Sequence, residues 1–419
     1  IDNLTNTTTD VQAVTYRFIP HIDPGDGGVE CTAGVETTLV VYINPTPRIT
    51  VAADDTLCNN SSTTFTITNP NTVRGLWRYD IDVTYPSGVT GTLGDRTNQT
   101  TLSQIDNLTN TTTDVQAVTY RFIPHIDPGD GGVECTAGVE TTLVVYVNPT
   151  IHVLFSAEAD TICNKSRIRI RLSSAETVVQ AIRYRYLPID VPDSVQIFMG
   201  QQSNLVPGAW IVDSVVNQTN HYKIFRYVVE PYIINNRGIE ICAGVPDTFT
   251  VVVNPTPVLY ITVSETILCD SSEVSFSVVS PTVGTGMVRY SLQTIYGAGT
   301  VDGVQAAGDY DLGTFTDRLV NKTLNYQTIN YRFRPFIEGY QQGLNCTEAA
   351  LSTVVVYLNP TPQISVTSSD TLYCNSSDIT LNVSSLNGLV LGEKQYYVDM
   401  QYDTVKIKIT GFTSGYLPI

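Results

Sequence analysis

Residues 1 to 42, IDNLTNTTTDVQAVTYRFIPHIDPGDGGVECTAGVETTLVVY, recur letter for letter as residues 105 to 146. A repeat of this length identifies the chain as a tandem array of units. The marker Asn-Pro-Thr closes each unit at Asn44, Asn148, Asn254 and Asn359, which sets spacings of 104, 106 and 105 residues. The later units keep the punctuation of the first two but not their letters. A Tyr-containing run ends in Pro (VTYRFIP, FRYVVEP, NYRFRP), a cysteine loop follows, and a β-rich run such as TFTVVVNP closes the unit.

Val, Ile, Thr and Tyr dominate. Gly, Pro, Asn and Asp cluster between short alternating runs, which is the pattern of an all-β chain. STTFTITN, EVSFSVVS and ITLNVSS alternate with period two, as strands with one buried face do. A unit of about 105 residues is long enough for one seven-stranded sandwich with its own core. The expected fold is therefore a tandem of immunoglobulin-like β-sandwiches. Its expected units are 47–150, 151–256 and 257–361, with 1–46 as the back half of one sandwich and 362–419 as the front half of another.

A formal net charge of −17 leaves no basic stripe to neutralise phosphates, which argues against nucleic acid as a partner. No run of 18 apolar residues is present to span a membrane, and no signal peptide opens the sequence. The eight cysteines fall at two phases of the repeat: Cys58, Cys163, Cys269 and Cys374 early, then Cys31, Cys135, Cys242 and Cys346 late. None lies in a Cys-x-x-Cys pair and only four histidines exist, so disulfides in an extracellular setting are favoured over zinc. No cofactor is expected.

The Asn-Pro-x-Pro linker, the Cys-Asn-x-Ser turn, Leu-Thr-Asn-Thr-Thr, Val-Thr-Tyr-x-Phe-x-Pro and Cys-x-x-Gly occur in a fixed order along the whole chain. In that order they resemble the PKD-like, immunoglobulin-fold repeats of Bacteroidota surface proteins. The resemblance implies export by the type IX secretion route and a place among gliding adhesins and very long cell-surface polypeptides.

Smaller features carry both a chemical and a structural reading. Asp-Thr-Leu or Asp-Thr-Ile precedes the early cysteine and is similar to the O-glycosylation acceptor of that group, making Thr56, Thr161 and Thr371 candidate sites. The competing reading is an Asp-led turn. The third unit has Glu265-Thr266-Ile267 instead. Asn-x-Thr sequons recur in phase at Asn6, Asn110, Asn217 and Asn321, where loop asparagines are favoured over glycans. The loop DPGDGG puts Asp23, Asp26, Asp127 and Asp130 where they meet the minimum for a calcium site. A plain Gly-rich hairpin loop is the favoured reading, since the later units have no counterpart. Tyr16, Tyr120, Tyr227 and Tyr331 share one phase and suit either a tyrosine corner, with a phenol hydrogen bond fixing the turn, or plain core aromatics. His21, His125, His152 and His221 do not recur in all units and no catalytic constellation converges, so an enzyme is not expected.

Two functions fit: the shaft of an extracellular fibre, or an adhesin that binds glycan or protein through its loops. Repetition favours the shaft, while Phe198, Met199 and Trp210 in the second whole unit are the nearest thing to a recognition surface. Proline rigidity in Asn-Pro-Thr-Pro predicts a straight array, with a bend expected after Asn148, where Ile151 replaces the second Pro. Disulfide pairing stays open. Staples across junctions give Cys58–Cys242 and Cys163–Cys346. Closure within units gives Cys58–Cys135, Cys163–Cys242 and Cys269–Cys346, and sequence neighbours give pairs such as Cys31–Cys58. Neither terminal half is long enough to bury a core alone, so each is expected to be completed by the other half from a neighbouring copy, head to tail. That arrangement holds either for one continuous polypeptide, the preferred version, or for separate chains that exchange strands.

Overall fold

The computed structural model describes residues 3–129, 131–339, 345–347, 349–400 and 415–418. All of its regular elements are strands, and the chain is a tandem of immunoglobulin-like β-sandwiches. In the first whole sandwich one sheet runs in the order Thr50–Ala52, Ser61–Thr68, Ser103–Asn110, Val89–Thr90. The facing sheet runs Thr56–Leu57, Thr141–Val147, Gln116–Asp127, Leu76–Thr84, Arg96–Gln99. Every pairing here is antiparallel except Thr56–Leu57, which lies parallel to the end of Thr141–Val147. The second and third sandwiches repeat this plan, including the short parallel edge at Thr161–Ile162 and at Ile267–Leu268.

Alternation along the strands explains the core. In Ser61–Thr68, Phe65 and Ile67 point inward, and in Gln116–Asp127 Val118, Tyr120 and Phe122 do so at the same period of two. The Phe65 ring stacks at a tilt on Tyr120, 4.5 Å between centroids, and so joins the two sheets. Three separate clusters of buried residues result: one between Ile49 and Val147, one between Ile151 and Val253, and one between Leu259 and Leu358.

At the two ends of the chain the same strands recur in incomplete sandwiches, and near the C-terminal end Gln395–Val398 pairs with Gly415–Pro418 as Leu76–Thr84 pairs with Arg96–Gln99. Gln12–Phe18 pairs with Thr37–Ile43 in the register that Gln116–Phe122 keeps with Thr141–Val147. Yet Phe18 is 56 % exposed, whereas its counterpart Phe122 is 0 % exposed. Near the other end Ile364–Ser368 pairs with Leu381–Ser385. There Leu381 is 56 % exposed, while the residue at its position in the first whole sandwich, Phe65, is 0 % exposed. One hairpin belongs to the back of a sandwich and the other to the front. Among the described residues no strand pairing joins them.

Candidate functional site: the junction between sandwiches

The Asn-Pro-Thr marker is a two-way clamp. In the linker after the first whole sandwich, the Asn148 side chain accepts from the amide of Val179 at 3.0 Å and donates to Gln180 at 3.3 Å, both in the next sandwich. Thr150 accepts instead from Asn59 of its own sandwich, at 2.7 Å. Asn254 and Thr256 repeat this, reaching Thr285 ahead and Asn164 behind. Asn359 repeats the forward half with Leu391, while Thr361 reaches back with the direction reversed, donating its hydroxyl to the Asp270 carboxylate. Asn44 makes the forward half of the clamp on the main chain of Arg74.

Beside each clamp a pair of main-chain hydrogen bonds ties the turn ahead of one long strand to a loop of the following sandwich. Val11 and Thr9 bond Thr72, Val115 and Thr113 bond Thr177, and Tyr222 and Asn220 bond Val283. Tyr326 and Leu324 make the equivalent bonds to Leu389 and Gly388. One junction is thus built four times. The bend expected at Ile151 leaves no mark on these contacts. Ile151 is buried in the core of the second sandwich, and its carbonyl accepts from Val245 at 2.9 Å just as the Pro47 carbonyl accepts from Val139 at 2.8 Å. An apolar side chain with its carbonyl in the same place serves as well as proline there.

Two disulfides cross junctions: Cys58 to Cys242, with 5.6 Å between Cα atoms, and Cys163 to Cys346, with 5.4 Å. The early cysteine sits in the turn between the parallel edge and the next long strand, and the late one sits in the segment that folds back onto the end of the Tyr-containing strand. These lie at opposite ends of one sandwich, so closure within a unit does not form, and neighbours in the array meet instead. Within the single chain Cys31, Cys135, Cys269 and Cys374 carry free thiols.

The phase-locked tyrosines hold a feature that the sequence did not disclose. Tyr120, Tyr227 and Tyr331 each donate to a buried carboxylate fourteen residues earlier: Asp106 at 2.6 Å, Asp213 at 3.2 Å and Asp317 at 2.6 Å. The phenol hydrogen bond expected of a tyrosine corner is made, but it runs to a side chain on the facing sheet and so joins the two sheets. Asp106 also accepts from the phenol of Tyr85 and the amides of Thr92 and Leu93. Asp213 takes the amides of Phe198 and Met199, and Asp317 that of Gln305. Burial, reinforced by the facing carboxylate, drives the three phenols well above the ordinary tyrosine range, and burial pushes Tyr85 up to about 12. Burial also raises Asp317, against the lowering effect of its hydrogen bonds. The signal available was Asp-x-aliphatic-x-Asn ahead of each tyrosine. Asp2 stands at the same separation from Tyr16 but lies outside the described residues.

That closing Asn is the sequon residue, and in the folded chain its side-chain amide is already engaged. Asn110 is buried, and its amide nitrogen donates to the carbonyls of Asp114 and Val147, both at 2.9 Å. Asn217 and Asn321 are buried and do the same with His221 and Val253, and with Asn325 and Leu358. Asn6 bonds Asp10 and Ile43 likewise. The sequon threonines Thr8, Thr112, Thr219 and Thr323 return a hydroxyl to the Asn oxygen. The recurrence is a structural clasp between a turn and the last strand.

Thr56 and Thr161 lie on the parallel edge strands, partly exposed, with their hydroxyls on Asp55 and Asp160, and Thr371 is exposed. In the DPGDGG loops Asp23 accepts from Gly25, and Asp127 accepts from Gly129 and pairs with Arg78. Asp26 has φ of 49° in the turn, and Asp130 lies outside the described residues. Among the described residues no group of three or more His, Cys, Asp or Glu side chains is placed to hold a metal ion. Likewise no described helix is long and apolar enough to cross a membrane.

No family model and no curated protein matches the sequence. Among solved structures the chain is similar to FdeC, an Escherichia coli adhesin, at 12% identity and a TM-score of 0.31 over 74% of this chain and 96% of that one. It is also similar to the FN1-FN3 domains of chicken CNTN1, at 10% identity and a TM-score of 0.26 over 75% of this chain and 99% of the other. A third likeness is to a mutant of Salmonella alpha-2-macroglobulin, at 10% identity and 0.22, over 85% of this chain and 29% of that one. All three TM-scores are low.

Proposed function

We propose that this chain forms the shaft of an extracellular, cell-surface fibre whose split end units are completed head to tail by successive copies. The observation that carries the reading is the single junction built four times, with the same Asn clamp and the same pair of main-chain bonds. A recognition protein needs one special surface, whereas a shaft needs a repeatable one. The two terminal hairpins supply the ends of the assembly. Phe18, Leu39 and Val41 of the back half face where Leu381, Val383 and Val366 of a front half would lie. Each such side chain contributes about 1.5–3 kcal/mol when fully buried. The units are the five expected above, with 1–46 joined to 362–419 of the preceding copy. Disulfides across junctions fit an oxidising exterior, and export by a Bacteroidota type IX route is part of the same reading. O-linked glycans on Thr56, Thr161 and Thr371 would line the shaft at one phase.

Negative-stain microscopy of the purified chain tests this. Thin beaded filaments are expected, and a population of isolated short rods at all concentrations overturns it. Electrophoresis in reducing detergent then separates individual chains of 45.9 kDa from one continuous polypeptide of far greater mass. A second reading, an adhesin, is favoured by the exposed Phe198, Met199 and Trp210 of the second sandwich. Glycan or protein capture that is lost in F198A/W210A would support it.

A further inference from the structure

Resting on the shaft reading, we infer that the four free thiols are the two halves of a covalent junction between successive copies: Cys269 of one copy pairs with Cys31 of the next, and Cys374 with Cys135 of the next.

The rule comes from the two bonds that are present. Each joins the early cysteine of one unit to the late cysteine of the unit that follows. Applied across a head-to-tail joint, the same step carries Cys269 to the completed unit, whose late cysteine is Cys31. It carries Cys374, the early cysteine of that unit, to the next whole sandwich, whose late cysteine is Cys135. No cysteine is left over and none is used twice.

The backbone around the free thiols is already that of the bonded ones. In all four early turns the second residue after the cysteine adopts a positive φ: Asn60 at 56° and Lys165 at 63° beside bonded cysteines, Ser271 at 61° and Ser376 at 63° beside free ones. The amide three residues on closes the turn onto the cysteine carbonyl at 3.2 Å for Cys163, 3.3 Å for Cys269 and 3.2 Å for Cys374. The late cysteines are equally alike. Cys346, which is bonded, exchanges main-chain hydrogen bonds with Ile337, and the free Cys31 and Cys135 do so with Ile22 and Ile126, with the cysteine amide at 3.0 Å in all three. The exposed apolar faces of the two terminal hairpins are an independent sign that a second copy lies against both ends.

Bond formation is an oxidation. Two thiols lose two protons and two electrons to form one S–S bond, and a small-molecule disulfide such as oxidised glutathione accepts them and leaves as two thiols. The purified 419-residue chain incubated in a glutathione redox buffer is therefore expected to give a ladder at multiples of 45.9 kDa on a non-reducing gel, collapsing to one band with reductant. The variant C31S/C269S retains Cys374 and Cys135 and keeps the ladder. C31S/C374S retains Cys269 and Cys135, which the rule does not pair, and runs as a single chain. C269S/C374S and C31S/C135S are each monomeric alone, and mixed they give one new band at twice the chain mass. A ladder from C31S/C374S as strong as that from C31S/C269S overturns the pairing. Filaments seen by microscopy with all four thiols still titratable overturn the covalent junction and leave the shaft standing. No filament with or without reductant overturns the shaft itself.

Discussion

The phenol of Tyr120 donates a 2.6 Å hydrogen bond to Oδ2 of Asp106, and both residues are fully buried between the sheets of the first whole sandwich. The carboxylate gathers Tyr85 and two main-chain amides as well, so it is a polar hub that fixes how the facing sheets and the Thr92–Leu93 segment meet. A buried acceptor of this kind is costly to strip of its donors and costly to remove from them. Y120F is expected to destabilise the first sandwich by about 1–3 kcal/mol. D106A leaves several buried donors without an acceptor and should be worse than Y120F. Chemical denaturation of the single variants, followed by intrinsic fluorescence, gives the comparison.

Alkaline pH should unfold the sandwiches through the same tyrosines. The folded-state pKa values of Tyr120, Tyr227 and Tyr331 are raised above the ordinary value of about 10. Their stabilising contribution is therefore whole below that value. It is lost as pH rises beyond it, because the unfolded chain ionises while the folded one resists. Absorbance of phenolate at 295 nm is expected to report these three residues only in step with loss of the β-sheet circular dichroism signal. In the triple variant Y120F/Y227F/Y331F the fall of stability above pH ~10 should be shallower.

Asp317 predicts the opposite end of the scale for the third sandwich. Burial raises its pKa, so its contribution is greatest below the ordinary carboxylate value of about 4 and falls as pH rises through the folded value. D317N retains an oxygen for Tyr331 and Gln305 without the charge. It should remove this pH dependence at a cost below about 1 kcal/mol at neutral pH, whereas D317A should cost about 1–3 kcal/mol. Thermal melts of the two variants between pH 3 and pH 7 check both.

The sequon asparagines are expected to stay bare. Expression in a host that N-glycosylates secreted proteins should add no glycan mass at Asn110, Asn217 or Asn321 once the chain is folded. N217A should cost about 1–3 kcal/mol by freeing the carbonyls of His221 and Val253. Intact-mass measurement and a denaturation curve are sufficient.

Removing one staple should loosen a junction and spare the sandwiches. In C58S/C242S amide exchange is expected to quicken at Val115 and Thr177, whose hydrogen bonds cross that junction, with the core amides of Phe122 and Val145 still protected. The local loss corresponds to the typical disulfide contribution of about 2–4 kcal/mol.

What could be read from the sequence was whatever repeats with a period. The alternation in STTFTITN places Phe65 and Ile67 in the core, and the phase of the cysteines places early and late ones at opposite ends of a sandwich. Asp106, Asp213 and Asp317 were not legible, because an aspartate beside Asn, Ser or Arg reads as a solvated turn, and only the facing sheet reveals its donors. The sequon was legible only in part: Asn-x-Thr describes a glycan acceptor and a side-chain clasp equally well, and the partners of the buried Asn110 amide are seen only in the fold. Nor was the clamp of Asn148 and Thr150 legible, since Ile151 shows only the loss of one proline and not the hydrogen bonds that hold the junction.

The two disulfides overlap: the loop closed by Cys58 and Cys242 contains Cys163, and the loop closed by Cys163 and Cys346 contains Cys242. A single break of the backbone anywhere between Cys58 and Cys346 therefore leaves an unbroken covalent route from one side of the cut to the other. The route runs through one sulfur bridge or the other, according to where the cut falls. Damage tolerance of that kind belongs to woven cable, in which no one thread is essential. A protease would have to cut this stretch more than once before it parted.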